Sequence, residues 1–316
     1  MAVTSDVDIQ GLLSSTRPDD PRNPLTDQLV GYYSSVSAIT TKIHPTPLGD
    51  VAIHVRGSGP SLVLLHANPG SSRDFDAVVA TLSENYRVLS IDWPGYGAST
   101  LSDPTSFHGA LSYRDVLPEI LHALDNEYSW GPFVLVGSSV GGFAAITAAQ
   151  HHPELIAGLV LVAPGGFTSH NVISSLACRT LGRERVARHA VQPLAWLYLR
   201  RRNAVTRNSL REAREVSRDG TGRAVFSAVW RSFIEPGHDL RDTVKPKAPV
   251  LVTWGRWDPV LPVWTDGRTA SSWLQVPVHR FASGHEPYAE TPDEWLAVVQ
   301  PFLASLRDAS HSWRSH

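Results

Sequence analysis

Short, continuous apolar runs alternate with amphipathic segments along most of this 316-residue chain. Strand-sized apolar runs at residues 62–65, 87–91 and 133–136 are each followed by a segment in which apolar residues recur at helical spacing. A strand that is apolar at every position is buried on both faces, as in a parallel sheet covered by helices. The alternation therefore predicts βαβ units and an α/β fold built on one mostly parallel sheet with helices on both faces.

The alternation breaks after residue 166, where the chain becomes helical in pattern and rich in arginine, and it resumes near residue 249. This break predicts one sheet domain with a helical cap inserted into it, and not two consecutive domains. We expect five segments: an N-terminal extension (1–37), the first part of the core (38–166), the Arg-rich cap (167–240), the second part of the core (241–308) and a C-terminal tail (309–316).

Charge is strongly segregated, although the net charge of the whole chain is only -2. The stretch from Arg179 to Arg231 holds 13 arginines, no lysine and 4 acidic residues, so it carries +9 and the remainder carries -11. Three interpretations of the cap arginines stay open: a solvated surface, one or two arginines binding an anionic substrate, or a basic face resting on anionic lipid. Nucleic-acid binding is disfavoured, since the remainder is acidic and no base-reading motif occurs.

Several classes of protein are excluded by what the sequence lacks. The single cysteine, Cys178, cannot form an internal disulfide, which favours a reducing compartment, and we expect a cytoplasmic protein. We expect no signal peptide, because the first residues contain neither a basic segment nor an apolar one. We expect no spanning segment, because no apolar run approaches the roughly 18 residues that a membrane helix needs. Neither a metal-ligand spacing nor a dinucleotide fingerprint is present, so we expect no metal and no cofactor. A monomer or homodimer is expected.

The segment Gly137-Ser-Ser-Val-Gly141 matches G-x-S-x-G and lies between a predicted strand and a predicted helix. Only Ser139 is in register with the two glycines. A serine on such a turn sits in a strained conformation at a helix N-terminus, whose free N–H groups stabilise developing negative charge. Ser139 is therefore the candidate nucleophile, and the alternative is a Gly-Ser turn without chemistry.

Two further loops extend this pattern, His66-Ala-Asn-Pro-Gly70 and Asp92-Trp-Pro-Gly-Tyr-Gly-Ala-Ser99. With the serine turn, they make the sequence resemble the α/β-hydrolase family from about residue 39 to 306. The first loop departs from the family pattern at Ala67, where glycine is usual. The resemblance implies an eight-stranded, mostly parallel sheet with a cap after the sixth strand, which is where residues 167–240 fall.

The resemblance also implies a catalytic acid and base that follow the nucleophile in chain order. Asp258 follows the apolar run 250–254 and matches the family's acid, and His285 follows the run 276–281 and matches its base. Both lie just past a predicted strand, where ligands bind in open α/β sheets. Taken singly, they could be a turn carboxylate and a surface histidine. The family's oxyanion hole corresponds to the backbone N–H groups of Asn68 and Val140.

These assignments predict a serine hydrolase that cleaves a carboxylic ester of a small molecule. The positive charge of the cap suggests that this substrate is anionic or lipid-like. A carbon–carbon bond hydrolase acting on an anionic dienone acid is the alternative enzyme, although Ser138 replaces that group's asparagine. A ligand-binding receptor on a hydrolase scaffold is the alternative of another class. Trp230, Phe233 and Trp196 in the cap are the candidate walls of the substrate pocket.

Overall fold

The computed structural model of the protein describes the backbone of residues 39–313 and the side chains of residues 39–308. The predicted N-terminal extension, residues 1–37, lies outside this range. Of the predicted C-terminal tail, residues 309–316, only the backbone to residue 313 is described, and it continues the last helix.

Eight strands form one sheet in the order β1-β2-β4-β3-β5-β6-β7-β8. The first two strands form an antiparallel hairpin, β2 pairs antiparallel with β4, and all other neighbours are parallel. This topology confirms the predicted fold class. The strands are β1 Thr40–Thr46, β2 Gly49–Arg56, β3 Ser61–Leu65, β4 Arg87–Ile91, β5 Phe133–Ser138, β6 Ile156–Val162, β7 Val250–Gly255 and β8 Val278–Phe281.

Helices cover both faces of this sheet, so the central strands β3 and β5 are buried at every position. Separate apolar clusters lie on the two faces, as a doubly covered sheet requires. The helices are α1 Asp76–Leu82, α2 Ala110–Tyr128, α3 Val140–His151, α4 Val172–Leu181, α5 Glu184–Tyr198, α6 Ala204–Arg218, α7 Gly220–Ser232, α8 Arg268–Leu274, α9 Pro287–Glu290 and α10 Pro292–Trp313. No helix within residues 39–313 is long and apolar enough to span a bilayer.

The cap consists of α4 to α7 and is inserted between β6 and β7, as predicted. It has a small apolar core of its own, to which α5, α6 and α7 contribute. Two hydroxyl–carboxylate hydrogen bonds join α6 to the loop after β3: Ser71 Oγ donates to Glu212 Oε2 at 2.7 Å, and Ser209 Oγ donates to Asp74 Oδ1 at 2.7 Å. Of the 13 cap arginines, 12 are exposed and Arg223 is half-buried.

Candidate active site

The turn between β5 and α3 holds Ser139 in a backbone conformation that side-chain-bearing residues rarely adopt, with φ 53° and ψ -112°. The glycines two positions away on either side make this turn possible. A Cβ on Gly137 would overlap the carbonyl of Gly141, and a Cβ on Gly141 would overlap the carbonyl of Leu65. The motif spacing therefore has a steric cause, and the result is a serine at the N-terminus of a helix at the carboxyl edge of the sheet.

Asp258 and His285 meet beyond the ends of two neighbouring strands, β7 and β8. His285 Nδ1 lies 2.6 Å from Asp258 Oδ2, and the other carboxylate oxygen accepts the backbone N–H groups of Val260 and Leu261 at 2.9 and 3.0 Å. Both side chains are almost fully buried. Asp258 thus holds the imidazole with Nδ1 as the donor, which leaves Nε2 as the ring nitrogen that can accept a proton.

The environment of His285 favours its protonated form. Burial by itself lowers the pKa of the ring, but the charge of Asp258, the hydrogen bond to it and the charge of Glu290 outweigh burial and raise the pKa above its ordinary value. The main chain is fixed as well, since the N–H of His285 donates to the carbonyl of Tyr198 at 2.8 Å. His285 is therefore oriented through both its ring and its backbone.

Strand register carries Ser139, Asn68 and Val140 to the same edge of the sheet. Leu65 pairs with Gly137, so Asn68 and Val140 each stand three residues beyond a paired position. Within residues 39–313, neither N–H donates a hydrogen bond, and no hydrogen bond joins Ser139 Oγ to His285. Catalytic hydrogen bonds commonly tighten only when substrate binds.

His66 begins this loop and has a structural role. Its Nε2 accepts the N–H of Trp93 at 3.0 Å, and its Nδ1 lies 2.7 Å from the carbonyl of Ala67. Burial lowers the pKa of His66 to about 4, so the ring is neutral at pH 7 and both of its nitrogens are partnered. His66 fixes the loop that carries Asn68.

A cavity of about 230 Å³ opens at Ser139 beneath the cap. Trp230 and Phe233 line it, together with leucines of α4 and α5 and the residues that follow Asp258. Trp196 does not: it is 62% exposed, and its ring contacts the Arg202 guanidinium at 5.4 Å. The prediction for Trp196 is therefore not met, because the face of α5 that carries it points away from the cavity.

Comparison with known proteins identifies the fold family. A family model described as alpha/beta hydrolase fold matches residues 60–292, more than half of the chain. The chain belongs to the α/β-hydrolase family. An uncharacterized protein of Mycobacterium tuberculosis is 27% identical to this hydrolase over 281 residues, which cover 82% of this chain and 80% of that protein.

Two further relatives carry functional names. A pimeloyl-[acyl-carrier protein] methyl ester esterase of Aeromonas hydrophila is 26% identical over 275 residues, covering 80% of this chain and 99% of the esterase. A thermophilic esterase from Thermogutta terrifontis, solved with malate bound, superposes with a TM-score of 0.68 at 20% identity, covering 85% of this chain and 99% of that one. The second similarity concerns the fold alone.

No cap arginine lines the cavity of this hydrolase. The interpretation in which one or two arginines bind an anionic substrate group there is thus not supported, and the arginines form an outer surface instead. Which of the other two interpretations holds, solvated face or lipid contact, stays a prediction.

Sequence reasoning missed Glu290, a buried carboxylate five residues after His285. Its Oε2 accepts the backbone N–H groups of Arg200, Arg201 and Gly284 at 2.8, 2.9 and 3.1 Å. The first two donors belong to the cap, so Glu290 joins the α5–α6 connection to the loop that carries His285. No sequence signal pointed to this role, because two of the three partners lie about 90 positions earlier in the chain.

One group of side chains in the described part of the chain could hold a metal ion. Candidate ligand atoms of His122, His152 and Glu154 lie within 4.8 Å of one another. His152 follows α3 at the end opposite to Ser139, about 18 Å away along a helix of 12 residues. This group is therefore separate from the serine site.

Proposed function

We propose that this hydrolase cleaves a carboxylic ester through a covalent acyl-enzyme. The observation that carries the proposal is the strained Ser139 at the N-terminus of α3, on the same sheet edge as the buried Asp258–His285 pair. A serine hydroxyl is a weak nucleophile at neutral pH, and a base held by a third group activates it.

In the proposed reaction Ser139 Oγ attacks the ester carbonyl while His285 Nε2 takes the hydroxyl proton. The new oxyanion receives hydrogen bonds from the N–H groups of Asn68 and Val140, which have no other acceptor among the described residues. The imidazolium then gives its proton to the departing alcohol. Water, deprotonated by His285 in the same way, releases the acid and restores Ser139.

The environment of His285 suits both proton transfers. With Asp258 on Nδ1, the proton can enter and leave at Nε2 only, and the carboxylate stabilises the imidazolium that forms. The raised pKa of His285 favours uptake of the serine proton at Nε2.

An ester is the favoured substrate class because the Aeromonas hydrophila methyl ester esterase is matched over almost its full length. The cavity also limits the size of the substrate. The space at Ser139, about 230 Å³, is small for a ligand pocket and suits a short acyl chain.

Ser139→Ala tests the nucleophile, with Ser138→Ala as the matched control on the same turn. We expect Ser139→Ala to lose labelling by a fluorophosphonate probe and to lower kcat on p-nitrophenyl butyrate by about 10⁴-fold or more. Ser138→Ala should be labelled and active. Persistent labelling of Ser139→Ala would show that another residue is the nucleophile.

The same proteins separate the alternative functions. Wild type should hydrolyse short esters faster than a vinylogous dienone acid. Turnover of the dienone acid alone would favour a carbon–carbon bond hydrolase, and saturable binding of both compounds without turnover would favour a receptor.

A further inference from the structure

Three residues of the cavity wall bury ring nitrogens that have no hydrogen-bond partner: His238 Nε2, His170 Nδ1 and Trp230 Nε1. A buried polar atom left without a partner costs about 1 to 3 kcal/mol. All three atoms belong to residues that line one cavity, whose other walls are mostly apolar, so a molecule bound there is the candidate source of the missing partners.

His238 is held rigidly beside the nucleophile. It is 5% exposed, stacks on Phe143 at a centroid distance of 4.5 Å and contacts Phe233 at 5.0 Å. Gly165 has no Cβ, but one placed there would lie 3.4 Å from His238 Nε2. The N–H of Gly165 donates to the carbonyl of Ser139 at 2.9 Å. The nitrogen therefore stands next to the chain that carries the reacting hydroxyl.

The charge of the cavity decides between kinds of ligand. Burial, with repulsion from His170, lowers the pKa of His238 to about 3, so its ring is neutral at pH 7. No lysine or arginine lines the cavity, and the wall residue Thr168 donates to the buried carboxylate of Asp266. A carboxylate bound against His238 would meet a neutral ring, with no lysine or arginine on the cavity wall to balance its charge, and burying a carboxylate unpaired costs several kcal/mol. Trp230 Nε1 is a donor only, so the ligand atom it meets must be an acceptor.

We propose that His170, Trp230 and His238 form a subsite for an uncharged oxygen, a ketone or a hydroxyl, on the acyl chain of a short substrate. The inference rests on the proposed function, because the alcohol leaves first and the acyl group stays bonded to Ser139 inside this cavity. An oxo- or hydroxyacyl ester is thus the substrate class.

The kinetic test compares four methyl esters with acyl chains of four or five carbons. Methyl pentanoate is the plain ester, methyl 4-oxopentanoate and methyl 3-hydroxybutyrate are the ketone and hydroxyl probes, and monomethyl succinate is the anionic probe. Acid release is followed by pH-stat titration. We expect kcat/KM for the oxo or the hydroxy ester to exceed that for methyl pentanoate by about tenfold. This is the effect expected when a substrate oxygen forms hydrogen bonds with donors that are otherwise buried without partners. The succinate should be the poorest substrate. Equal rates for all neutral esters, or the best rate for the succinate, would overturn the proposal.

Two variants test whether this subsite causes the preference for oxygenated esters. His238→Phe keeps an aromatic ring against Phe143 and removes the nitrogens, and His170→Leu removes the second imidazole. Each should reduce the preference for the oxygenated ester to about threefold or less. Turnover of methyl pentanoate, which has no oxygen for the subsite, shows that the variant is folded. Full retention of the preference in both variants would contradict the assignment.

A binding measurement separates this inference from the proposed function. Ser139→Ala is titrated calorimetrically with methyl 4-oxopentanoate and with methyl pentanoate. Preferential binding of the oxo ester supports the subsite even if wild type hydrolyses no ester, and in that case only the proposed function fails. Hydrolysis of all the esters together with equal binding overturns the subsite and leaves the proposed function standing.

Discussion

Glu290→Ala should destabilise the protein, because one oxygen of this buried carboxylate accepts three backbone N–H groups. The donors are Arg200, Arg201 and Gly284 at 2.8 to 3.1 Å, and Glu290 is 4% exposed. A buried donor left unpaired costs about 1 to 3 kcal/mol, and partial entry of water lowers the sum, so we expect a loss of roughly 3 to 5 kcal/mol. At about 2 °C per kcal/mol for a chain of this size, Tm should fall by about 6 to 10 °C.

Glu290→Gln is the matched control, since it keeps one acceptor oxygen of the same reach. It should lose only about 1 to 2 kcal/mol. Urea denaturation followed by circular dichroism gives both values, and hydrogen exchange should show faster exchange at the α5–α6 connection in Glu290→Ala. If the two variants unfold within about 1 °C of wild type, the three hydrogen bonds contribute nothing net and the reasoning is refuted.

Further predictions concern charge and pH. Because the pKa of His285 is raised from 6.5, kcat/KM should fall as the pH drops, and the midpoint of this fall should lie above pH 6.5. A pH–rate profile measures this midpoint. Asp258→Asn should shift that midpoint to lower pH and reduce kcat by about 10⁴-fold with unchanged circular dichroism. Burial, with nearby carboxylates, raises the pKa of Asp74 from 3.8 to about 7, so the folded state holds a proton that the unfolded chain releases. Stability should therefore fall as pH rises from about 4 to 7, and Asp74→Asn should flatten this part of a urea-midpoint profile. Because the cap arginines lie outside the cavity, kcat/KM for a neutral ester should change little between about 0.05 and 0.5 M salt, and a steep fall would contradict this.

The parts of the site that sequence reasoning predicted are those encoded locally. Ser139, Asp258 and His285 each come within four residues of the end of a predicted strand, and a parallel sheet brings the ends of its strands to one edge. The central strands β3 and β5 were recognisable because burial on both faces leaves them almost entirely apolar.

The remaining parts depend on how the cap folds back over the sheet. His170 and His238 stand at opposite ends of the insertion, and only its closure brings both to one cavity. Trp196 was assigned to the pocket wall, because an aromatic residue on an amphipathic helix does not show which neighbouring element that side of the helix packs against. No sequence pattern marks Glu290, since its role comes from hydrogen bonds with backbone donors on a distant segment.

The hydrogen bond between the carbonyl of Tyr198 and the N–H of His285 has a consequence for protein engineering. Residues 198–201 directly follow Leu197, which lines the cavity, and they therefore invite libraries aimed at new specificity. Their main chain, however, holds the backbone of His285 and binds Glu290. Side-chain diversity on the outer face of this connection leaves those backbone atoms in place. Insertions displace them, and proline at 200 or 201 removes a donor. Libraries in the cap should therefore keep the length of this connection and omit proline from it.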